Sequence, residues 1–365
     1  MNQVFVFIAI ISLSLGKVIP FIGKSIPRNK EPNTKPTTKS YTFISLGDWG
    51  GYLLGGYHAD NVISIANASL EIVKSQNAKM VLNSGDNFYY CGIQNISDYQ
   101  IKRDYLDLFG QLNIPWYNSL GNHDYGYNVS AQTKLDLVIP NWKMDDRYYY
   151  HRIPIDTSEG ENMHLIVLDT NPCVSSYRSN NKTLWDPCNI KYPTCSLTRG
   201  NDTFEGECQF HSNIIMQDCE KQYNWFLETL YNVSLNWDIT VDWVIVMGHH
   251  PVDEIDVMDF GKIINTSIID LYINGHKHEL QHYSVDGNAK YLTTGAGSMV
   301  EPNVLEVENE NWNDNNDKEK KILWKKKITG FTIHQIVNKQ LKTQFLDAEL
   351  NVLYEMIIKK KSKSD

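Results

Sequence analysis

The sequence predicts a fold of the α+β class, in which buried strands and amphipathic helices alternate over much of the chain. Two observations support this prediction. Five short hydrophobic runs have the length and the β-branched or aromatic content of buried strands. Between them lie segments whose apolar residues recur at helical spacing. Each run is followed by a glycine and then at once by Asp, Asn or His. The runs are 43–46, 81–84, 117–120, 244–247 and 271–274.

The elements follow one another from Tyr41, where the core is predicted to begin. Helical spacing predicts helices at Asn61–Ser75, at Ser97–Leu112 with Ser97 as its cap, and at Glu220–Tyr231. One more buried strand, His164–Asp169, ends in Asp without the preceding glycine. A closing set of antiparallel strands is predicted at Ile328–Ile336, Leu341–Leu346 and Asn351–Ile358.

The two ends of the chain and two internal stretches differ from this core in composition. We predict a signal peptide at residues 1–16, a disordered lead-in at 17–40, one domain at 41–358 and a basic tail at 359–365. Within the domain lie a cysteine-rich insertion at 171–219 and an acidic loop at 306–317. A solvated end is the favoured interpretation of the tail, over membrane or partner binding.

Composition and charge limit the possible compartments and partners. The formal net charge of −9 argues against nucleic acid as the main partner. Beyond the N-terminal run, no segment has the length of a membrane span. Seven Asn-x-Ser/Thr sequons are typical of a secreted glycoprotein. We therefore expect a secreted or endolysosomal protein without a membrane span. The sequons are at Asn67, Asn95, Asn128, Asn181, Asn201, Asn232 and Asn265.

Five of the six cysteines lie in the insertion, and the sixth is Cys91. In an oxidising compartment such a cluster indicates a loop closed by disulfides. A zinc site is the alternative, and the lack of a Cys-x-x-Cys pair disfavours it. Six cysteines allow 15 pairings, and the sequence does not choose among them.

The residues after the five glycines are Asp48, Asp86, Asn122, His249 and His276. Taken singly, each motif has an ordinary explanation as a turn, a helix cap or a pair of core histidines. Taken together, carboxylate, amide and imidazole groups at strand ends are ligands that suit a metal centre. In an extended backbone, His278 lies on the same face as His276. Tyr89 would bind only a strongly Lewis-acidic ion such as Fe³⁺, because phenols ionise near pH 10.

This ordered series of motifs resembles the five-block signature of the purple acid phosphatases, and most of all their small, mammalian-type tartrate-resistant members. The resemblance extends from about Tyr41 to Ile358. The blocks are Gly47-Asp48, Gly85-Asp86-Asn87-Phe88-Tyr89, Gly121-Asn122-His123-Asp124, Gly248-His249-His250-Pro251 and Gly275-His276-Lys277-His278. Single blocks occur widely in metallophosphoesterases, whereas all five in order, with the tyrosine, are highly specific.

The resemblance implies a ligand set and a role for each residue. Fe(III) would take Asp48, Tyr89 and His278, and a divalent iron, zinc or manganese ion would take Asn122, His249 and His276. Asp86 would bridge the two ions. His123 would contact the phosphate or protonate the leaving group. His250, which stands where mammalian relatives commonly carry a tyrosine, would line the substrate side. Cys91 would join a disulfide to the insertion.

The resemblance also implies a metallophosphoesterase-like, four-layer αββα fold of two packed mixed sheets flanked by helices. The implied activity is that of an acid phosphatase. It would hydrolyse phosphate monoesters, small molecules or phosphoproteins, by metal-activated hydroxide attack in a monomer. Two alternatives stay open. One is a phosphodiesterase of the same superfamily, which Tyr89 disfavours. The other is a non-catalytic scaffold, which the complete ligand set and the lack of a C-terminal membrane segment disfavour.

Overall fold

A computed structural model describes residues 39–155, 161–181, 184–189, 195, 207–300 and 320–360. The predicted signal peptide, the acidic loop and nearly all of the lead-in lie outside these residues, as does the end of the basic tail. The insertion and the tail are described in part.

Two mixed sheets of seven strands each form the centre of the described chain, and the four-layer fold is confirmed. The first sheet has the order β14-β13-β12-β1-β2-β3-β4, and the second β11-β9-β10-β8-β7-β6-β5. The strands of the first sheet are β1 (Tyr41–Leu46), β2 (Val81–Asn83), β3 (Trp116–Asn118), β4 (Trp142–Lys143), β12 (Gly330–Val337), β13 (Gln340–Asp347) and β14 (Val352–Lys359). The strands of the second are β5 (Tyr149–Pro154), β6 (Asn162–Val167), β7 (Trp243–Met247), β8 (Leu271–Asn274), β9 (Leu280–Val285), β10 (Asn288–Thr294) and β11 (Lys320–Lys326).

Each sheet contains four adjacent parallel strands, which end at one edge strand of the first sheet and lie in the middle of the second. β1 to β4 run parallel to one another in the first sheet, and β6, β7, β8 and β10 do so in the second. The predicted closing strands are β12, β13 and β14, which pair antiparallel in succession beside β1. The carboxyl ends of β1, β2 and β3 therefore share one edge of their sheet, as those of β7 and β8 share one edge of theirs.

Six α-helices are described. They are α1 (Gly56–Gln76), α2 (Val129–Gln132), α3 (Ser175–Arg178), α4 (Phe210–Ile215), α5 (Cys219–Asn236) and α6 (Phe260–Ile264). Single turns of 3₁₀ helix lie at Tyr52–Leu54, Gly110–Leu112, His123–Tyr125, Leu135–Leu137, Asn171–Cys173 and Val252–Glu254, and a π-helical segment lies at Ile101–Leu106. The predicted helices at 61–75 and 220–231 correspond to α1 and α5, which are longer.

The predicted helix at Ser97–Leu112 is wrong in extent. Only its middle and its end are helical, because side chains compete with a helix for the backbone before residue 101. The Asp98 carboxylate accepts hydrogen bonds from the amides of Gln94 and Gln100 at 2.9 and 3.1 Å. Asn95 accepts another from the amide of Ser97 at 2.8 Å. These bonds make a turn in place of a first helical turn.

The two-residue period of β7 shows how the layers pack. Trp243, Ile245 and Met247 belong to the main core, which includes residues of both sheets. Val244 and Val246 belong to a second core together with residues of α5 and α6. One face of the second sheet therefore meets the first sheet, and its other face is covered by helices.

The start of the basic tail is not solvated, contrary to the prediction. The side chain of Lys360 is only 2% exposed, and its ammonium lies 2.6 Å from the carboxylate of Asp270. The same ammonium lies over the rings of Trp237 and Trp243. Because Lys360 follows β14 and Asp270 precedes β8, this ion pair joins the last strand of the first sheet to the second sheet.

Candidate metal centre

The five residues that follow the hydrophobic runs converge in the structure. Asp48, Asp86 and Asn122 follow β1, β2 and β3 of the first sheet, and His249 and His276 follow β7 and β8 of the second. All of these strand ends meet where the carboxyl edges of the two sheets face each other. His278 and Tyr89 lie in the same loops as His276 and Asp86. The structure thus brings all seven predicted ligands to one place.

Close approach of backbone explains the glycines before the ligands. A Cβ on Gly121 would lie 2.0 Å from Oδ1 of Asp86, and one on Gly275 would lie 2.4 Å from Oδ2 of Asp48. The left-handed turn itself is made largely by the ligands, since Asp48, Asp86 and His276 have φ values of 57°, 54° and 67°. Asp and His tolerate this region better than most residues, and such strain is common at functional sites.

Four donor atoms surround the first half of the site. The Tyr89 hydroxyl lies 3.2 Å from Oδ1 of Asp48, 3.0 Å from Oδ2 of Asp86 and 3.4 Å from Nε2 of His278. Nε2 of His278 lies 3.6 Å from Oδ1 of Asp48. Two carboxylates, a phenol and an imidazole therefore point at a common centre.

Four donor atoms also surround the second half. Oδ1 of Asn122 lies 2.9 Å from Nε2 of His249 and 3.0 Å from Nδ1 of His276. Nε2 of His249 lies 3.5 Å from Oδ2 of Asp86. This is the same carboxylate oxygen that contacts Tyr89 in the first half. Asp86 is thus the one predicted ligand whose carboxylate faces both donor sets.

These separations fit metal coordination. Ligand bonds of about 2.0–2.2 Å put neighbouring ligands about 3 Å apart in an octahedron and about 3.4 Å apart in a tetrahedron. The separations of 2.9–3.6 Å in both donor sets lie close to these values. Carboxylate, phenol, amide and imidazole donors suit hard or borderline ions. The residues present therefore fit a pair of metal ions.

Hydrogen bonds fix which histidine nitrogens face the centre. Nδ1 of His249 donates to the carbonyl of Ser84 at 2.8 Å, so Nε2 keeps its lone pair. Nε2 of His276 lies 3.2 Å from the carboxylate of Glu254, so Nδ1 is the atom directed at Asn122. Such partners on the far nitrogen are typical of metal-binding histidines.

Burial and charge shift the pKa values of the groups in the site. Burial and the neighbouring Asp86 raise the pKa of Asp48 well above its usual range. Burial alone would raise the pKa of Asp86 as well, but His249 and His123 hold it below that range. Burial, Asp48 and Asp86 raise the pKa of Tyr89. A buried site with two carboxylates and a phenol favours a cation of high charge.

His123 lies at the edge of the first donor set. Its Nδ1 donates to the carbonyl of Tyr90 at 2.7 Å, and its backbone amide donates to Oδ1 of Asp86 at 2.9 Å. Its ring contacts those of Tyr89 and Trp185, with centroids 4.6 and 5.1 Å away. The donated proton at Nδ1 leaves Nε2 as the ring atom that can give a proton to a ligand or take one from it.

His250 is fully buried, and both of its ring nitrogens are already bonded. Nδ1 lies 2.7 Å from the hydroxyl of Thr170, and Nε2 lies 3.0 Å from the hydroxyl of Tyr177. Its ring packs against that of His276, with centroids 4.5 Å apart. A direct contact between His250 and a substrate would require one of these hydrogen bonds to break.

Sequence reasoning missed several residues that support the site. Asp124, in the third block, accepts hydrogen bonds from the backbone amides of Gly121 and Asn87 at 2.8 and 3.0 Å, and so holds two ligand loops together. Its place in Gly-Asn-His-Asp was the available signal. Glu254 and Trp185 belong to no motif, and no sequence signal identified them.

The cysteines form three disulfides among the described residues, and the disulfide interpretation is confirmed. The pairs are Cys91–Cys195, Cys173–Cys219 and Cys188–Cys208. The expected link from Cys91 to the insertion is among them. Because Cys91 follows Tyr90, this bond ties the insertion to the segment whose carbonyl holds His123.

Comparison with known proteins identifies the family to which the chain belongs. The family model described as calcineurin-like phosphoesterase matches residues 41–280, about two thirds of the chain, and this range contains all seven predicted ligands. The chain belongs to the calcineurin-like phosphoesterase family. The predictions of a metallophosphoesterase fold and of a metal-dependent phosphatase are confirmed at this level.

Several relatives of this calcineurin-like phosphoesterase carry the name of acid phosphatases. The tartrate-resistant acid phosphatase type 5 of Oryctolagus cuniculus is 27% identical over 290 residues, which cover 75% of this chain and 78% of that protein. Purple acid phosphatase 7 of Arabidopsis thaliana is 26% identical over 341 residues, 92% of each chain. The predicted resemblance to the purple acid phosphatases is confirmed.

Solved structures show the same fold. The structure titled as GAP50, the anchor in the inner membrane complex of Plasmodium, superposes with a TM-score of 0.62 at 20% identity, covering 89% of this chain and 90% of that one. A dimetal phosphatase from Danio rerio has a TM-score of 0.50 at 12% identity, covering 88% and 99%. Within the part of the calcineurin-like phosphoesterase that the structure describes, no helix is long and apolar enough to cross a bilayer.

Proposed function

We propose that this chain is an acid phosphatase that hydrolyses phosphate monoesters at a dinuclear Fe(III)–M(II) centre. One observation carries the proposal: a single oxygen of Asp86 faces both donor sets, 3.0 Å from the Tyr89 hydroxyl and 3.5 Å from Nε2 of His249. In this proposal, Fe(III) is held by Asp48, Tyr89 and His278, a divalent iron, zinc or manganese ion by Asn122, His249 and His276, and both by Asp86.

The relatives support the acid phosphatase activity, since the proteins from Oryctolagus cuniculus and Arabidopsis thaliana are named for it. The donor chemistry supports the ferric ion. Burial and two carboxylates raise the pKa of Tyr89, so only a strong Lewis acid can hold its phenolate at acidic pH. All seven ligands come from one chain, so the proposed centre needs no residue of a partner subunit.

When bound, such a metal pair neutralises the phosphate charge and makes water a nucleophile below neutral pH. The chain's own residues position and protonate the substrate. The carbonyl of Tyr90 fixes the His123 ring through Nδ1, so that Nε2 can donate a proton to the departing alcohol. The carboxylate of Asp124 keeps the loops of Asp86 and Asn122 in register through their neighbouring backbone amides.

The three disulfides support an oxidising compartment, and we propose that the protein is secreted or endolysosomal. The domain would be residues 41–358, and the insertion at 171–219 would form one wall of the metal site. Substrates would be phosphorylated small molecules or phosphoproteins.

The test combines metal content with substrate preference in full-length protein secreted from a eukaryotic host. Elemental mass spectrometry should find about two ions per chain, one of them iron. Hydrolysis of p-nitrophenyl phosphate should exceed that of bis(p-nitrophenyl) phosphate and should be fastest at acidic pH. A preference for the diester would favour a phosphodiesterase. Folded protein without metal or turnover would favour a scaffold.

A further inference from the structure

The carboxylate of Glu254 lies between two residues of the fifth block. Its Oε2 is 3.2 Å from Nε2 of His276, and its Oε1 is 2.5 Å from the ammonium of Lys277. Glu254 ends the 3₁₀ turn Val252–Glu254, which begins directly after His249-His250-Pro251. The turn therefore places this carboxylate against the opposite ligand loop.

The contact with His276 acts on the side of the ring that faces away from Asn122. A carboxylate accepts a hydrogen bond and donates none, so Nε2 of His276 must carry the proton. Nδ1, 3.0 Å from Oδ1 of Asn122, then keeps the lone pair that a metal ion needs. The ring also packs against His250 and His249, with centroids 4.5 and 5.2 Å away.

Within the second donor set, the orientation of His276 is less constrained than that of His249. Its backbone is in the left-handed region, at φ 67°. Its side chain is 21% exposed, whereas His249 and Asp86 are almost fully buried. A ligand that is partly exposed on a strained backbone has more freedom to turn away, so an external hydrogen bond fixes more of its orientation.

The ammonium of Lys277 neutralises the carboxylate of Glu254, which lies close to the proposed phosphate site. An unneutralised negative charge near the centre would repel an incoming phosphate. Lys277 lies between the ligands His276 and His278 in the chain, and its ammonium pairs with the other oxygen of Glu254. The pair is therefore neutral overall while its carboxylate still orients His276.

We propose that Glu254 is a positioning residue that orients His276 for the second metal ion, with Lys277 as the cation that balances its charge. This inference rests on the proposed dinuclear centre. Carboxylate partners of metal-bound histidines are typically worth about 10- to 100-fold in metal affinity. Loss of Glu254 should therefore weaken the site of Asn122, His249 and His276 and spare that of Asp48, Tyr89 and His278.

The test compares Glu254→Ala and Glu254→Gln with a matched control, Asp253→Asn. Asp253 is the preceding residue in the same turn, but its carboxylate pairs with Lys320 at 2.8 Å.

Full-length proteins are exposed to a chelator, and the metal ions that remain per chain are counted by elemental mass spectrometry. Glu254→Ala should lose one of its two ions at a chelator concentration about 10- to 100-fold lower than wild type does, with the Tm of the metal-loaded protein unchanged and activity restored by added Zn²⁺. Glu254→Gln, which keeps an acceptor oxygen, should be intermediate, and Asp253→Asn should match wild type.

The outcomes separate the two proposals. If wild-type protein holds no pair of ions, the proposed function fails. If wild type holds two ions and both Glu254 variants retain them up to the same chelator concentration as Asp253→Asn does, only the positioning role is overturned. Should Glu254→Ala fail to be secreted, the nearly isosteric Glu254→Gln decides by the same comparison.

Discussion

The hydroxyl of Tyr89 lies 3.0 Å from Oδ2 of Asp86, and that same oxygen lies 3.5 Å from a nitrogen of His249 on the facing sheet. One carboxylate oxygen thus connects a donor set built mainly on the first sheet with one to which the second sheet contributes two histidines. Because the two sets share this atom, removing it should affect both metal ions at once.

Asp86→Ala is therefore expected to lose both ions and all turnover. The measurement is metal per chain by elemental mass spectrometry, together with hydrolysis of p-nitrophenyl phosphate. Asp136→Ala is the control, because that carboxylate is exposed and lies in the turn Leu135–Leu137 away from the centre. An Asp86→Ala protein that keeps activity would refute the bridging role.

Tyr89→Phe removes the phenol and leaves the ring. If this residue binds Fe(III), the variant should lose the visible absorption band of a phenolate–iron centre, because no other tyrosine hydroxyl contacts Asp48 and Asp86 among the described residues. The absorption spectrum of purified protein measures this directly. An unchanged band would show that a different residue gives the colour.

His123→Gln should lower kcat by about 10²- to 10⁴-fold, the usual worth of a general acid or base. The fall should be larger for an alkyl phosphate than for p-nitrophenyl phosphate, because a poor leaving group needs the proton more. Metal content should stay at the wild-type value, since His123 contacts Asp86 through its backbone amide. Equal losses for both substrates would argue against proton donation.

Trp185→Ala tests whether the insertion forms a wall of the site. Its ring is half-buried and lies 5.1 Å from that of His123. An aromatic pair is worth about 0.5–1.5 kcal/mol, so kcat should fall by about 2- to 10-fold through a less fixed His123. Trp225→Ala is the control, because Trp225 lies on α5 and its ring packs against that of Tyr148. If both variants lose the same activity, the effect is one of general stability.

His334 should make the protein less stable in acid. Burial lowers its pKa from 6.5 to about 3, and its ring bonds to the hydroxyls of Ser45 and Thr343 at 2.8 Å each. Between about pH 6.5 and pH 3, His334 binds a proton in the unfolded chain but not in the folded chain. Its contribution to the free energy of unfolding is therefore fully present above pH 6.5 and falls as the pH drops from there toward 3.

Titration of His334 alone should lower the free energy of unfolding by about 2 kcal/mol between pH 8 and pH 5. His334→Gln should remove that part of the pH dependence. Urea unfolding of both proteins at the two pH values gives the difference, in which all other titrating groups cancel. Identical pH dependence in the two proteins would mean that His334 does not titrate as its burial implies.

The sequence predicted the sheet edges that carry the seven ligands, because each strand end is marked by a local pattern of a hydrophobic run, a glycine and a polar residue. A glycine after a hydrophobic run is required where a Cβ would strike Asp86 or Asp48, as at Gly121 and Gly275. The helices α1 and α5 were found from their apolar spacing for the same local reason. The pairing of two sheets is a non-local property, and it came from the family resemblance.

The residues that support the ligands could not be predicted in this way. Glu254 reaches His276 from another strand's loop, and Trp185 reaches His123 from the insertion, so neither has a fixed sequence distance from its partner. The helix at Ser97–Leu112 was overextended because Asp98 and Asn95 hydrogen-bond to the backbone. Lys360 resembled a solvated tail residue until its pairing with Asp270 was visible.

The disulfides have a consequence for proteolysis of the insertion. Cys91–Cys195, Cys173–Cys219 and Cys188–Cys208 overlap along the chain, so every peptide bond between Cys173 and Cys219 is spanned by at least one of them. A single cut anywhere in that interval cannot release a fragment. The nicked enzyme would migrate as one band on a non-reducing gel and as two after reduction, and the N-terminal piece, which carries Tyr90 and His123, would stay joined to the C-terminal piece.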